Sequence, residues 1–160
     1  EGERATMGDW LTHLNTMFPE VRLKKTLEMR GCDSLPRDLF SALPALWTGI
    51  LYDPRALDEA DALSESFGYE EIVELRPRVA QAGVAATFRQ GSVADVAAKL
   101  LEIARGGLER RGRRGADGRD EGRFLEPLSR LVSARRCPAD RLVDAEKRAS
   151  WAERLAAVEL

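Results

Sequence analysis

Cysteine and histidine are almost missing from this 160-residue chain, which has two of the first and one of the second. Cys32 and Cys137 lie too far apart for the dense framework of a disulfide-stapled domain, so two reduced thiols are expected. With His13 alone, no Cys/His spacing for zinc exists. Aromatic residues make up only 6% of the chain, so the core is expected to be built from Leu, Ala and Val. Charge of one sign is also lacking. A net charge of −2 gives no bulk attraction to nucleic acid or to a membrane surface. No apolar run approaches the ~20 residues that span a bilayer. No charged segment followed by an apolar one opens the chain as a secretion signal would, so a cytoplasmic location is expected. No internal repeat and no glycine-rich nucleotide loop is seen. Against these absences, 44% hydrophobic and 32% charged residues describe an ordinary globular chain.

The most informative stretch runs from Phe18 to Asp33. Between Val21 and Arg30 the residues alternate: Val21, Leu23, Leu27 and Met29 fall on one face, and Arg22, Lys24, Thr26, Glu28 and Arg30 on the other. Lys25 is the misfit on the apolar side. A period of two over this length predicts one strand, at about residues 20–30. Side chains two apart on a strand stand roughly 7 Å apart on one face, so Glu28 and Arg30 can address a single ligand. A carboxylate suits a hard cation such as Mg²⁺, and a guanidinium suits phosphate oxygens. The competing reading is a solvated strand face carrying an ordinary surface ion pair. Gly31 follows at once, where a chain turns or lets a ligand approach its backbone.

The run from Asp9 to Lys24, continuing through Leu27-Glu28-Met29-Arg30-Gly31-Cys32-Asp33, resembles the bacterial and plant type of glutamate–cysteine ligase. Those enzymes carry Phe-Pro-Glu-Val-Arg-Leu-Lys followed by Leu-Glu-Met-Arg-Gly-x-Asp. The likeness continues more loosely through Ser41–Asp53, and again in Arg119-Asp120-Glu121 with Phe124-Leu125-Glu126-Pro127-Leu128. It covers roughly residues 5 to 143 and corresponds to the C-terminal part of much longer proteins. The resemblance implies an α+β fold, the mostly helical C-terminal part of a glutamine-synthetase-like ligase, whose strand joins a sheet supplied from upstream. It also implies ATP-dependent formation of γ-glutamylcysteine from L-glutamate and L-cysteine, the first step of glutathione biosynthesis, with Mg²⁺ accompanying ATP. By motif position, Glu28 becomes a metal ligand and Arg30 the catalytic phosphate contact. Arg22, further along the same strand face, becomes a candidate for holding a substrate carboxylate. Residues 1–146 are assigned to the catalytic domain and 147–160 to a C-terminal helix outside the resemblance.

The rest of the chain reads as helices. Thr6 or Asp9 caps a first helix carrying Trp10, Leu11, Leu14 and Met17, which Phe18-Pro19 ends. His13 on it reads as a structural residue. A second helix starts at Ser34 with Pro36 in its first turn, is kinked by Pro44, and packs closely at Gly49. Trp47 reads as core. Asp53-Pro54 caps a third, which Gly68 ends, and residues 69–81 form a fourth, bent or divided by Pro77 and ended by Gly83. Thr87–Gly91 reads as a loop. Ser92 and Asp95 form a capping box for a helix that Gly106-Gly107 weaken near its end. Arg110–Gly122 is glycine- and arginine-rich and reads as a mobile loop. Arg110, Arg111, Arg113 and Arg114 are either a phosphate or nucleic-acid contact or a solvated basic loop closing on nearby acids. Phe124–Val132 is helical, and a final helix from Cys137-Pro138 carries Trp151, Leu155 and Val158.

A lone strand needs a partner. Either a partner is hidden in this sequence or the region upstream supplies it; the second is expected here. An unpaired edge also invites association, so a homo-oligomer is possible. The implied acid cluster and nucleotide loop are not in this sequence, so the isolated chain is expected to be inactive and to need the upstream part of the same enzyme. Two other functions fit the same residues: a related glutamate–amine ligase with another acceptor, and a non-catalytic helical interaction or dimerisation module.

Overall fold

The computed structural model describes residues 4–32, 35–146 and 150. Two compact units divide the chain, Glu1–Ser34 and Leu35–Leu160. The expected final helix at 147–160, the Ser34 cap and Asp33 lie outside the described residues.

The first unit holds α1 (Met7–Thr16) and the strands β1 (Val21–Leu23) and β2 (Leu27–Met29). Thr6 caps α1 by accepting from the Asp9 N–H, and the Asp9 carboxylate accepts the Thr6 N–H in return. This reciprocal pairing satisfies two of the donors that a helix start leaves open. The single long strand at 20–30 is corrected to a hairpin. β1 and β2 are antiparallel partners, with Val21 opposite Met29, Arg22 opposite Glu28 and Leu23 opposite Leu27. Of the two alternatives for a partner, the one hidden in this sequence is present, where a sheet supplied from upstream had been expected. Lys24, Lys25 and Thr26 form the turn, closed by Lys24 N–H donating to the Thr26 carbonyl at 3.1 Å. Lys25 broke the alternation because it sits in that turn. Lys24 Nζ also donates to Asn15 Oδ1 at 3.0 Å, tying the turn to the end of α1.

The second unit is helical: α2 (Ala42–Leu51), α3 (Pro54–Glu65), α4 (Tyr69–Ala82), α5 (Val93–Arg111), α6 (Glu126–Ser133) and α7 (Ala139–Glu146), with a small hairpin of β3 (Thr87–Phe88) and β4 (Gly91–Ser92) before α5. Among the described residues the strands make two two-stranded antiparallel sheets. Asp53 caps α3 through the Ala56 N–H at 2.8 Å, and Ser92 with Asp95 caps α5, as the sequence signals predict.

Several boundaries differ from expectation. α2 starts at Ala42, because residues Pro36 to Ser41 close tight turns instead. Pro44 then stands in the first helical turn, where no backbone donor is needed, so it is no kink site. α4 is not divided by Pro77. Gly68 caps α4 rather than ending α3, and its N–H donates to the Glu71 carboxylate at 2.8 Å. The expected loop at Thr87–Gly91 contains the β3–β4 turn, with Arg89 in the left-handed region at φ 51°.

α5 runs through Gly106-Gly107 to Arg111 and stops at Gly112, whose φ of 64° closes the helix. The glycines serve packing. A Cβ on Gly107 would lie 1.9 Å from the Gly49 carbonyl oxygen, and one on Gly49 would lie 2.2 Å from the Ala104 oxygen. α2 and α5 thus cross backbone to backbone, and the close packing expected at Gly49 is present. Around the crossing lies the main core of Ala45, Ile50, Leu101, Ala104, Leu108 and Leu125, with Trp47 packed against it. Leu75, Ala86 and Phe88 form a second cluster.

Candidate functional site

The chemistry of the first unit is gathered on one face of the β1–β2 hairpin. Directly opposed residues in an antiparallel pair point to the same side, so the Arg22–Glu28 register puts a guanidinium against a carboxylate. Arg22 Nε donates to Glu28 Oε2 at 2.8 Å, and Arg22 Nη2 lies 2.7 Å from the same oxygen. Arg30, two residues beyond Glu28, approaches the other oxygen at 3.4 Å through Nη1. The sequence reading placed Arg22 further along one strand; the hairpin brings it across from Glu28 instead. All three predicted site residues therefore meet. The hydrogen bond from Arg22 is the main reason the Glu28 carboxyl is held below its ordinary range, with the Arg30 and Lys24 charges adding to it. Burial opposes this shift.

The hairpin is inverted relative to an ordinary amphipathic one. The Arg22 side chain is 19% exposed and that of Arg30 26%, whereas Leu23 on the other face is 79% exposed. Arg30 is also held by its backbone N–H, which donates to the Glu20 carbonyl at 2.7 Å, and its guanidinium carbon lies 5.0 Å from the Phe18 ring centre. Sequence reading missed the Phe18 contact. Its only trace was an aromatic residue held extended before a proline.

Two guanidiniums flanking one carboxylate are suited to anionic groups such as phosphates and carboxylates. They are less suited to a cation alone. Mg²⁺ demands near-octahedral oxygen ligation. Glu28 offers one carboxylate whose two oxygens already face guanidiniums, and among the described residues no three His, Cys, Asp or Glu side chains gather as a metal site. These residues as arranged do not by themselves fit the ion.

The remaining candidates are structural. The Arg110–Gly122 stretch adopts a defined turn, bridged between Arg114 and Asp120, rather than an unstructured loop. Two of the four arginines named above close on acids, as the second of the two readings had it: Arg110 on Asp53 at 2.7 Å and Arg111 on Glu121 at 3.4 Å; just past the stretch, Arg123 pairs with Asp117 at 2.5 Å. Arg114 donates to the Gly118 carbonyl. The Arg110 hydrogen bond, together with the Ala56 N–H, holds the Asp53 carboxyl below its ordinary range. A cavity of about 250 Å³ lies between Phe40, Pro44, Thr48, Leu108, Glu121 and Phe124, but its one carboxylate is the partner of Arg111. His13 lies against the Trp10 ring. Cys32 is exposed, Cys137 is partly buried, and neither is in a disulfide. No helix among the described residues is long and apolar enough to cross a membrane.

The first unit of this α+β chain thus gathers an Arg–Glu–Arg face, whose guanidiniums are of a kind that suits anionic groups. Comparison with known proteins narrows this. The model of glutamate-cysteine ligase family 2 matches residues 1–158, and the chain belongs to that family. It is similar to the chloroplastic glutamate–cysteine ligase of Medicago truncatula, with 43% identity over 143 residues that cover 89% of this chain and 27% of that protein. Glutamate–cysteine ligase A, chloroplastic, of Oryza sativa subsp. indica is 41% identical over the same share of this chain and 28% of its own length. The chloroplastic enzyme of Arabidopsis thaliana is 40% identical, with 26% of its length covered. The chain thus spans just over a quarter of the curated relatives it matches.

Proposed function

We propose that this chain is part of an ATP-dependent ligase that joins L-glutamate to L-cysteine through a γ-glutamyl phosphate, in a glutamine-synthetase-like fold. Its location is proposed to be the cytoplasm. The observation that carries the reading is the Arg22–Glu28–Arg30 face, which lies in a region matched to relatives named glutamate–cysteine ligases. In the first step an oxygen of the glutamate γ-carboxylate attacks the γ-phosphorus of ATP. The bond to the bridging oxygen breaks and ADP leaves. In the second, the cysteine amine attacks the acyl carbon, phosphate leaves with the bonding pair, and the nitrogen gives up a proton. Both steps pass charge through phosphate oxygens, and preorganised donors stabilise such charge without reorganising. Arg30 takes the phosphate contact and Arg22 a substrate carboxylate. Glu28 aims both guanidiniums, and becomes a ligand of Mg²⁺ only in company with oxygen ligands that the described residues do not supply.

The isolated chain is proposed to be inactive and to need the rest of the ligase. This rests on the lone carboxylate at the site and on the uncovered apolar side chains of the first unit, among them Trp10, Leu11, Leu23 and Leu27. The test follows phosphate and γ-glutamylcysteine from the purified chain given ATP, Mg²⁺, glutamate and cysteine, with and without the remaining part of the ligase added in trans. Activity only in the mixture, abolished by Arg30→Ala, is expected. Turnover by the chain alone would overturn the dependence on other segments. A mixture in which Arg30→Ala is fully active would overturn the site.

A further inference from the structure

Arg30 stands one position past the end of β2, so the paired strands do not fix its side chain. Three contacts do. Its N–H is held by the Glu20 carbonyl, Glu28 Oε1 approaches one terminal nitrogen at 3.4 Å, and the Phe18 ring covers one face with 5.0 Å between ring centre and guanidinium carbon. The first fixes the backbone, and the second is long for a hydrogen bond. The ring is therefore the remaining contact that bears on where the guanidinium sits. Phe18 is 72% exposed, so it is not held there as core. Pro19 restricts the Phe18 backbone to extended conformations, which limits where the ring can go. An aromatic face attracts a cation without using its N–H donors. A guanidinium carries five donors in a fixed fork, and Glu28 approaches only one of its nitrogens here.

We propose that Phe18 is a positioning residue for Arg30, holding the guanidinium against its ring so that the N–H groups meet the oxygens of the transferred phosphate. This rests on the phosphate-contact role assigned to Arg30 above. The test uses the full-length ligase with Phe18→Leu, Phe18→Trp and Arg30→Ala, alone and combined, reading kcat, the KM of each substrate and the melting temperature. Phe18→Leu is expected to lower kcat by about tenfold, the scale of one well-placed cation–π contact. KM for cysteine and the melting temperature should stay as in the parent. Phe18→Trp should restore most of the rate, because it keeps an aromatic face. Phe18→Leu added to Arg30→Ala should cost nothing more. A Phe18→Leu enzyme as fast as the parent, beside a crippled Arg30→Ala, overturns this inference alone. Equal damage by Phe18→Leu with and without Arg30, or no rescue by tryptophan, overturns it as well. A fully active Arg30→Ala enzyme overturns the role of Arg30 and this inference with it.

Discussion

The hairpin of the first unit and the helical body that follows place their apolar residues by opposite rules. In the body, Leu39, Ala104, Leu108 and Leu125 are buried, and the ion pairs range from partly covered, as Arg111 with Glu121, to exposed, as Lys99 with Glu102. In the hairpin, Val21, Leu23 and Leu27 are exposed while Arg22, Glu28 and Arg30 are partly covered. The body follows the ordinary rule that apolar area leaves water. A hairpin that shows its leucines departs from it: its apolar face has surface left to bury, and its charged face is the one to which the proposed function assigns binding.

Arg30→Ala tests this contrast most strongly. In the full-length ligase it should lower turnover by about 10²–10³-fold, the loss found when one charge-stabilising donor is removed, with the melting temperature unchanged. A large drop in stability instead would make the arginine a structural residue. Gly107→Val should act in reverse. The added side chain meets the Gly49 carbonyl, so a urea melt of the 160-residue chain should show a loss of more than about 3 kcal/mol. If the variant keeps its stability but the full-length ligase carrying it loses activity, the body is more than a scaffold. Leu108→Ala, at a fully buried position, should cost about 3 kcal/mol in the same melt.

Smaller effects sharpen the comparison. Arg89 clamps Glu71 with two hydrogen bonds of 2.8 and 2.7 Å and lies over the Phe67 and Phe88 rings. The Arg89 hydrogen bonds, helped by the Gly68 N–H, lower the Glu71 pKa from the ordinary 4.5 to about 2. A carboxylate with a depressed folded pKa adds stability above its unfolded pKa and loses it as the pH falls through the folded one. The clamp is therefore at full strength above 4.5 and fades toward about 2. Glu71→Gln should lower the melting temperature at neutral pH and flatten its fall across that acid window; an unchanged profile would remove the clamp from the stability of the body. Leu23→Ser should change the stability of the isolated chain by no more than about 0.5 kcal/mol, because the side chain is already in water. A markedly larger loss in the full-length ligase would mark that face as one covered there.

Much of the helical structure in both units was legible because helix starts are written locally. Thr6 with Asp9, Asp53 before Pro54, and Ser92 with Asp95 each bring donor and acceptor within three residues, and each forms the expected cap. The hairpin was hidden because Lys24-Lys25-Thr26 contains none of the glycine, proline, asparagine or aspartate that announce a turn. Reading through it left Arg22 distant from Glu28, when register makes them neighbours. Gly106-Gly107 misled for the converse reason. Propensity counts glycine against a helix, but the need for backbone contact between α2 and α5 comes from a partner far away in sequence. The roles of Glu28 and Arg30 were suggested by likeness to a family, and spacing alone had left them open to the surface-pair reading.

That crossing also bears on how the body forms. Gly49 and Gly107 are separated by roughly sixty residues, so bringing them together closes a long loop at an entropic cost that grows slowly with length. The helices between them are local and can form and fray quickly. The contact between two bare backbones is neither local nor adjustable, since no side chain can shift to tolerate a near miss. Assembly of the body is thus expected to wait on this single docking event, and its loss to be the same event as global unfolding. Amide hydrogen exchange in the middle of α2 and α5 should accordingly be the slowest in the body, at a rate set by complete opening.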